Sequence, residues 1–378
     1  MKLIHLSDLH LGKRINEFSM LEDQEYILTK IIHIIDEQQP DGVIIAGDVY
    51  DKSVPAAEAV ELFDDFLVRL SKRGLQVFVI SGNHDSAERI AFGGRLMDQS
   101  GIHMSPVYDG TVTPVTLTDA FGAVNVYMLP FIKPSTVRRF FPDREIASYT
   151  DAVRAAVEAM AVDTAQRNVL ITHQFVTGAV RSESEEVSVG GTDNVDAAAF
   201  APFDYVALGH IHRGQACGEE YIRYSGTPLK YSFSEAKDQK SVTVLELGAK
   251  GERTLTLIPL LPKRDMAEIR GTYEELTLKS FWENTSYTED YMHITLTDEE
   301  DIPDALAKLR VIYKNVMTLD YDNRRTRTAN EISGADAVRE KSPYEHFCTF
   351  YELQNGQPMS EEQAALVAAL IDEIGEGK

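Results

Sequence analysis

Apolar positions along this chain follow two periods. Short, nearly unbroken apolar runs recur at Leu3-Ile4-His5-Leu6, Val43-Ile44-Ile45-Ala46, Val77-Phe78-Val79-Ile80, Val169-Leu170-Ile171 and Tyr205-Val206-Ala207-Leu208. Their length and continuity predict buried strands. Between them the period lengthens. Leu21, Ile27, Leu28, Ile31, Ile32 and Ile35 mark one helical face ending before Pro40-Asp41, and Val60, Leu62, Phe63, Phe66, Leu67 and Leu70 mark a second. Pro55 suits the start of that second helix, where the first turn has no use for its amide hydrogen. This alternation, continuing to about residue 260, predicts a layered α/β domain. Ser241 to Leu247 and Thr254 to Leu260 read as a closing hairpin turning at Gly248 to Gly251.

The later chain changes character. Tyr291 to Leu296 and Asn315 to Tyr321 read as strands flanking a short helix that starts near Asp301 and Pro303, a small β-α-β module. A polar linker follows, carrying the basic cluster Arg324, Arg325 and Arg327. Two amphipathic helices then open on capping-box spacings at Ser342-Pro343-Tyr344-Glu345 and Ser360-Glu361-Glu362-Gln363. Such short helices need a host surface. The expected division is therefore 1–264, 265–325, a linker at 326–341 and a helical tail at 342–378.

Metal-binding residue types stand directly after each of the five apolar runs. They are Asp8 and His10, Asp48, Asn83 with His84 and Asp85, His173, and His210 with His212. Five strand ends meeting at one sheet edge would gather them in a single crevice, where open α/β sheets bind ligands. Asp8 with His10, and His210 with His212, are two residues apart, which on a strand places each pair on one face. Carboxylate, carboxamide and imidazole form a ligand set for two divalent cations, with Asp48 bridging; the imidazoles favour Mn²⁺ or Fe²⁺ over Mg²⁺. Such a pair serves in-line phosphoryl displacement. That leaves His84 to protonate the departing oxygen. Asp85 is expected to orient His84 or cap the next helix, and Asp51 to act on substrate or water. Residues 178–196, polar and aperiodic, are expected to form a loop beside His173.

Composition bears on the substrate. With 37 basic and 60 acidic residues the formal charge is −23, which repels polyanions at long range. Bound cations reverse the local field, so a phosphodiester can still enter the metal site. Wider affinity for DNA would need a local patch, for which Arg324, Arg325 and Arg327 are the candidates, or a second protein. Two distant cysteines, Cys217 and Cys348, and the absence of a long apolar run point to a cytoplasmic protein without a membrane anchor.

With these residues in view, the first 260 positions resemble the calcineurin-like metallophosphoesterase superfamily through its D-x-H, GD, GNHD, H and GHxH blocks. SDLHLG at 7–12, AGDVYD at 46–51, SGNHDS at 81–86, THQFV at 172–176, ALGHIHR at 207–213 and YSGTPLKYSFSE at 224–235 are similar to the SbcD family, the nuclease subunits of bacterial SbcCD complexes. The resemblance implies an αββα sandwich with a small α+β capping domain and a helical tail. It implies Asp8, His10, Asp48 and His212 around one Mn²⁺, Asp48, Asn83, His173 and His210 around the other, and His84 as catalytic non-ligand. Asp51 departs from archaeal and eukaryotic relatives, which have histidine there. The resemblance further implies a homodimer, a coiled-coil ATPase partner of the SbcC type bound through the tail in a two-plus-two assembly, and association with the nucleoid. The activities implied are ATP-dependent exonuclease action on duplex ends and endonuclease action on single strands and hairpins, in repair, recombination and replication. No phosphate-binding G-x-x-x-x-G-K-[ST] loop occurs, so ATP use would fall to the partner. Two other readings stand beside this one. A small-molecule phosphodiesterase or protein phosphatase could use the same core, although Asp51-Lys52-Ser53 replaces the D-R-G block usual in such phosphatases. A catalytically silent scaffold would be expected to have lost ligands, and none is missing.

Overall fold

Each apolar run becomes a strand with both faces covered. The computed structural model describes residues 1–183, 185, 193–324 and 326, together with residues 344, 347, 348, 351, 359, 360, 363–367, 370 and 371. Lys2–Leu6, Gly42–Ala46, Gln76–Ile80 and Ile102–Met104 run parallel and adjacent. The hairpin Ser241–Leu247 and Arg253–Pro259 completes this six-stranded sheet, pairing antiparallel to Lys2–Leu6. A second six-stranded sheet is ordered Gln215–Cys217, Glu219–Tyr224, Tyr205–Gly209, Arg167–His173, Gly122–Leu129 and Val115–Asp119. Its strands Gly122–Leu129, Arg167–His173, Tyr205–Gly209 and Glu219–Tyr224 are parallel.

The strand ends therefore meet at the junction of two sheets, not on the edge of one as the run pattern suggested. Alternate side chains explain why. Leu3, Ile44, Ala46, Phe78 and Ile80 face Val126, Val169, Ile171, Tyr205 and Ala207 of the other sheet, all fully buried. Ile4, Leu6, Val43 and Ile45 point outward, under the helices Leu21–Gln38 and Ala57–Ser71. Leu170, Val206 and Leu208 do the same beneath Tyr149–Ala159. Four layers result, α/β/β/α. A strand covered on both faces has no polar face to show, so its sequence carries no alternation.

Residues 266–321 form a three-stranded sheet of Met266–Gly271, Tyr291–Leu296 and Asn315–Tyr321, the first two parallel. By contacts, residues 1–296 and 302–320 make one unit, and residues 297–301 and 321–378 another. Within the first unit, Met266, Tyr291 and Met317 pack into the core beneath the Leu21–Gln38 helix. An ion-pair cluster fastens the same joint. Asp23, fully buried, accepts from Arg264 Nη1 at 2.6 Å and from the Tyr291 hydroxyl at 2.8 Å, while Glu22 takes Arg264 Nη2 at 2.7 Å.

In the second unit, Asn323 is buried and its side chain donates to the Asp298 carbonyl. The reciprocal bonds of a capping box are present at Ser360 and Gln363, 2.9 and 3.3 Å. Arg324 is exposed and its amide donates to Glu299. Arg325, Arg327, most of the 326–341 linker, Ser342 and much of the tail, like residues 184 and 186–192, lie outside the described residues. Among the described residues no helix is long and apolar enough to cross a membrane.

Candidate metal centre

His173 closes its strand Arg167–His173, and the other residues singled out after the apolar runs lie in the turns that leave them. Asp8 and His10 fall beyond the strand Lys2–Leu6, and His210 and His212 beyond Tyr205–Gly209. Strand alternation thus does not align either pair. Backbone strain does: Asp8, His10, Asp48 and His210 have φ of 52°, 45°, 49° and 102°. A left-handed conformation is costly for a residue with a side chain, and concentrates where a surrounding structure imposes it for function. The turns are cross-tied. The Asp8 amide donates to the Gly47 carbonyl at 3.0 Å, the His10 amide to the Asp48 carbonyl at 3.0 Å, and the His210 amide to Asp8 Oδ1 at 2.9 Å.

Two glycines make this approach possible. A β-carbon on Gly82 would lie 2.1 Å from Asp48 Oδ1, and one on Gly209 would lie 1.9 Å from the Ala46 carbonyl oxygen. The GNHD and GHIH turns can therefore sit against the neighbouring strand only where no side chain intervenes.

The side chains converge. Three groups bring ligand atoms within 4.8 Å of one another: Asp8, His10 and His212; Asp8, Asp48 and His173; His10, Asp48 and His84. His10 Nε2 and His212 Nε2 are 3.1 Å apart. Asp48 Oδ2 is 3.2 Å from His173 Nε2 and 3.7 Å from His10 Nε2. Asn83 Oδ1 lies 2.9 Å from His173 Nε2 and 2.8 Å from His210 Nδ1. All seven expected ligands are thus gathered, with Asp48 between the two histidine groups.

Charge and burial test the fit of a cation. Asp8 is fully buried, and its Oδ2 has no hydrogen-bond partner. Burial raises the Asp8 carboxyl above its usual range. Burial would also raise Asp48, but His173, then His10 and His84, outweigh it and hold that carboxyl far below the usual range. Burial resists charge on His173, yet Asp48 and Asp8 carry its pKa up to about 9. Burial, with His173 alongside, lowers His210 to about 3. Carboxylates packed in a dry site draw positive charge toward themselves, and an orphaned buried oxygen awaits a partner. Hard oxygen donors mixed with imidazoles fit divalent transition ions.

Other groups stand behind the candidate ligand rings, although His10 Nδ1 itself makes no hydrogen bond. His173 Nδ1–H donates to the Ala46 carbonyl at 2.8 Å. His10 Nδ1 is 3.7 Å from Asp51 Oδ1, and Lys13 donates to that same oxygen at 2.8 Å. His212 Nδ1 is 3.8 Å from Glu235 Oε1, while Lys240 reaches Glu235 Oε2 at 2.5 Å. His84 Nδ1–H donates to the Asp51 carbonyl at 3.1 Å, and the ring packs edge-on against His10.

Asp85 has a different task from either one expected of it. Its carboxylate accepts from the amides of Gly82, Val49 and Tyr50 at 2.9, 3.1 and 3.0 Å, stapling the GNHD turn to the GD turn. Ser86 caps the following helix instead, and the Asp51 carbonyl orients His84. Burial and then Asp48 push the Asp85 pKa up to about 6 despite those amides.

Sequence assigned no individual role to four contributors, Lys13, Glu185, Glu235 and Lys240, although Glu185 lies in the loop expected beside His173. Glu185 is buried and accepts from the His212 amide at 2.6 Å. Glu235 closes the YSGTPLKYSFSE block, in which Tyr231 donates to the Leu9 carbonyl at 2.6 Å and Ser225 to the His5 carbonyl at 2.7 Å. That block is a cradle for the D-x-H and GHIH turns. Its only signal in the sequence was likeness to a family.

Residues 1–214 match the family described as calcineurin-like phosphoesterase, and residues 262–355 match one described as the type 5 capsule protein repressor C-terminal domain. The chain is 32% identical over 381 residues to the SbcD subunit of nuclease SbcCD from Staphylococcus epidermidis, covering 99% of each. It is 35% identical over 324 residues to the SbcD subunit of nuclease SbcCD from Staphylococcus saprophyticus, covering 84% of each. Among solved structures, a dimetal phosphatase from Danio rerio is similar over 68% of this chain and 95% of that one, at 11% identity and a TM-score of 0.43.

Proposed function

The chain belongs to the calcineurin-like phosphoesterase family and, along nearly its whole length, to the SbcD family of SbcCD nuclease subunits, and on that premise we propose that it is the DNA-cutting subunit of an SbcCD-type complex. It is a hydrolase of phosphodiester bonds. The observation that supports the nuclease reading is the gathering of all seven candidate ligands in one centre on a chain similar end to end to named nucleases.

Asp8, His10, Asp48 and His212 would hold one divalent ion, and Asp48, Asn83, His173 and His210 the other; we take the ion to be Mn²⁺. Two such ions supply Lewis acidity at the attacking and leaving oxygens of an in-line displacement. His84 belongs to the protein's own part of the reaction. Because the Asp51 carbonyl accepts from Nδ1–H, Nε2 is left to meet a substrate oxygen. The doubly protonated ring can release its Nε2 proton to the departing oxygen while Asp51 keeps it aligned. Lining by Asp8 and Asp48 would repel a phosphodiester unless the ions were present, so binding and chemistry share one requirement.

The test is cleavage of labelled hairpin and blunt duplex DNA with Mn²⁺, with and without the ATPase and ATP. His84→Gln should bind Mn²⁺ as the parent does and lose cleavage by roughly 10²- to 10⁴-fold. Full cleavage by that variant would remove His84 from its role. Turnover of cyclic nucleotides or phosphopeptides alongside inert DNA would move the chain to the other phosphoesterase reading.

We further propose that residues 265–325 cap the DNA site and that the tail at 342–378 docks an SbcC-like ATPase, two copies of each forming the complex around a homodimer of this chain in the cytoplasm. Deleting residues 341–378 should leave a folded, Mn²⁺-binding core that no longer co-purifies with the ATPase. Unchanged co-purification would sink the assignment of the tail.

A further inference from the structure

Three histidines of the centre turn Nε2 inward, and what stands behind each ring differs. His173 has the neutral Ala46 carbonyl at its Nδ1. His10 has the Asp51 carboxylate at 3.7 Å, and His212 has the Glu235 carboxylate at 3.8 Å. Each of these carboxylates is held by its own lysine, Lys13 or Lys240. The arrangement is duplicated from unrelated stretches of chain. One half comes from the turns after the first two strands, the other from the segment after residue 224.

Burial makes the duplication informative. Glu235 is fully buried and Lys240 is 6% exposed. Taking a carboxylate and an ammonium out of water costs more than an isolated pair usually returns. The Lys240 ammonium also donates to the His212 carbonyl at 2.8 Å. It therefore holds both the backing carboxylate and the backbone of the ring that it backs. At 3.7 Å the Asp51 carboxylate acts on the His10 ring through its charge, since His10 Nδ1 makes no hydrogen bond, and Glu235 stands at a similar distance from His212. A negative charge beside Nδ1 favours the tautomer that offers Nε2 to a cation and raises the basicity of that nitrogen. A backbone carbonyl fixes the tautomer with less electron donation.

We infer that the two ion positions are unequal by construction: Asp51 and Glu235 are positioning residues that make the His10 and His212 position the tight one, leaving the His173 and His210 position the weaker, exchangeable one. This rests on the two-ion reading above. It also gives Asp51 a place behind a ligand, through its side chain, in addition to aligning His84 through its carbonyl.

The test is Mn²⁺ titration of the full-length chain after chelation, followed by calorimetry and by the electron paramagnetic resonance signal of free Mn²⁺. The parent should bind in two separable events. His173→Ala should abolish the weaker event and keep the tighter. Asp51→Asn should weaken the tighter event by roughly 10- to 100-fold and leave the weaker within about twofold. Glu235→Gln strands the buried Lys240 ammonium, so the double variant Glu235→Gln/Lys240→Met is the fair comparison, with circular dichroism confirming its fold. It should match Asp51→Asn, and Glu235→Asp should recover part of the loss. Two equal events in the parent would overturn the inequality while leaving two ions in place. A lower melting temperature with both events unchanged would make the Glu235–Lys240 pair a fastening of the segment only. No Mn²⁺ uptake by the parent would instead overturn the metal centre itself.

Discussion

His5 lies sealed between the two sheets, and acid should find it. It is fully buried, its Nε2 is 3.2 Å from the Leu208 carbonyl and its Nδ1 is 2.9 Å from the Tyr205 hydroxyl. A carbonyl can only accept, so Nε2 carries the hydrogen, and in the neutral ring Nδ1 accepts from Tyr205. Burial keeps the ring in that neutral form. Burial, helped by the Arg223 charge and opposed by the Leu208 carbonyl, lowers its pKa from 6.5 to about 3. The unfolded chain binds a proton at His5 below about pH 6.5, and the folded chain does not until about pH 3. Stability from this group is thus complete above pH 6.5 and falls as pH drops toward 3. Near pH 5 the loss is about 2 kcal/mol, at about 1.4 kcal/mol for each tenfold excess of protons. The assay is urea unfolding of the metal-free chain between about pH 8 and pH 5, compared with His5→Gln, whose amide can both donate to Leu208 and accept from Tyr205. Subtracting the two profiles removes the other titrating groups. Parallel profiles would refute the argument, because they would mean that protonating His5 costs the fold nothing.

Two more outcomes follow from contacts in the same unit. Arg264→Met should cost about 3–5 kcal/mol by leaving Asp23 buried without its cation, and Asp23→Asn added to it should restore much of the loss; thermal unfolding reads both. Gly209→Ala should drive its methyl into the Ala46 carbonyl that backs His173. Such overpacking costs roughly 1–3 kcal/mol, and loss of Mn²⁺ at the His173 position, seen by calorimetry, should accompany it.

Why some elements were readable and others were not follows from which interactions they depend on. The five strands before the candidate ligands were legible because burial on both faces favours apolar residues along the whole run, with His5 an exception that its two hydrogen bonds accommodate. The strand Met266–Gly271 was missed. Only Met266 and Ile269 are buried in it, a spacing of three that matches neither a strand nor a clear helix. Asp85 was assigned by adjacency to His84, but its true partners, the amides of Val49 and Tyr50, are more than 30 residues away and carry no side-chain signature.

Sequence alone determined which candidate ligands stand after the apolar runs and the phosphoesterase family to which the chain belongs. Metal ligands and a proton donor must be particular residue types, and they sit beside strands whose burial is written in composition. Tertiary structure decided how that inventory is used. It split the strands between two sheets and bent Asp8, His10, Asp48 and His210 into left-handed turns. It also brought Glu235 and Lys240 behind a ring in the GHIH turn. These depend on long-range contacts between backbone and buried charge, and a carboxylate that backs a ligand looks, in sequence, like any other glutamate.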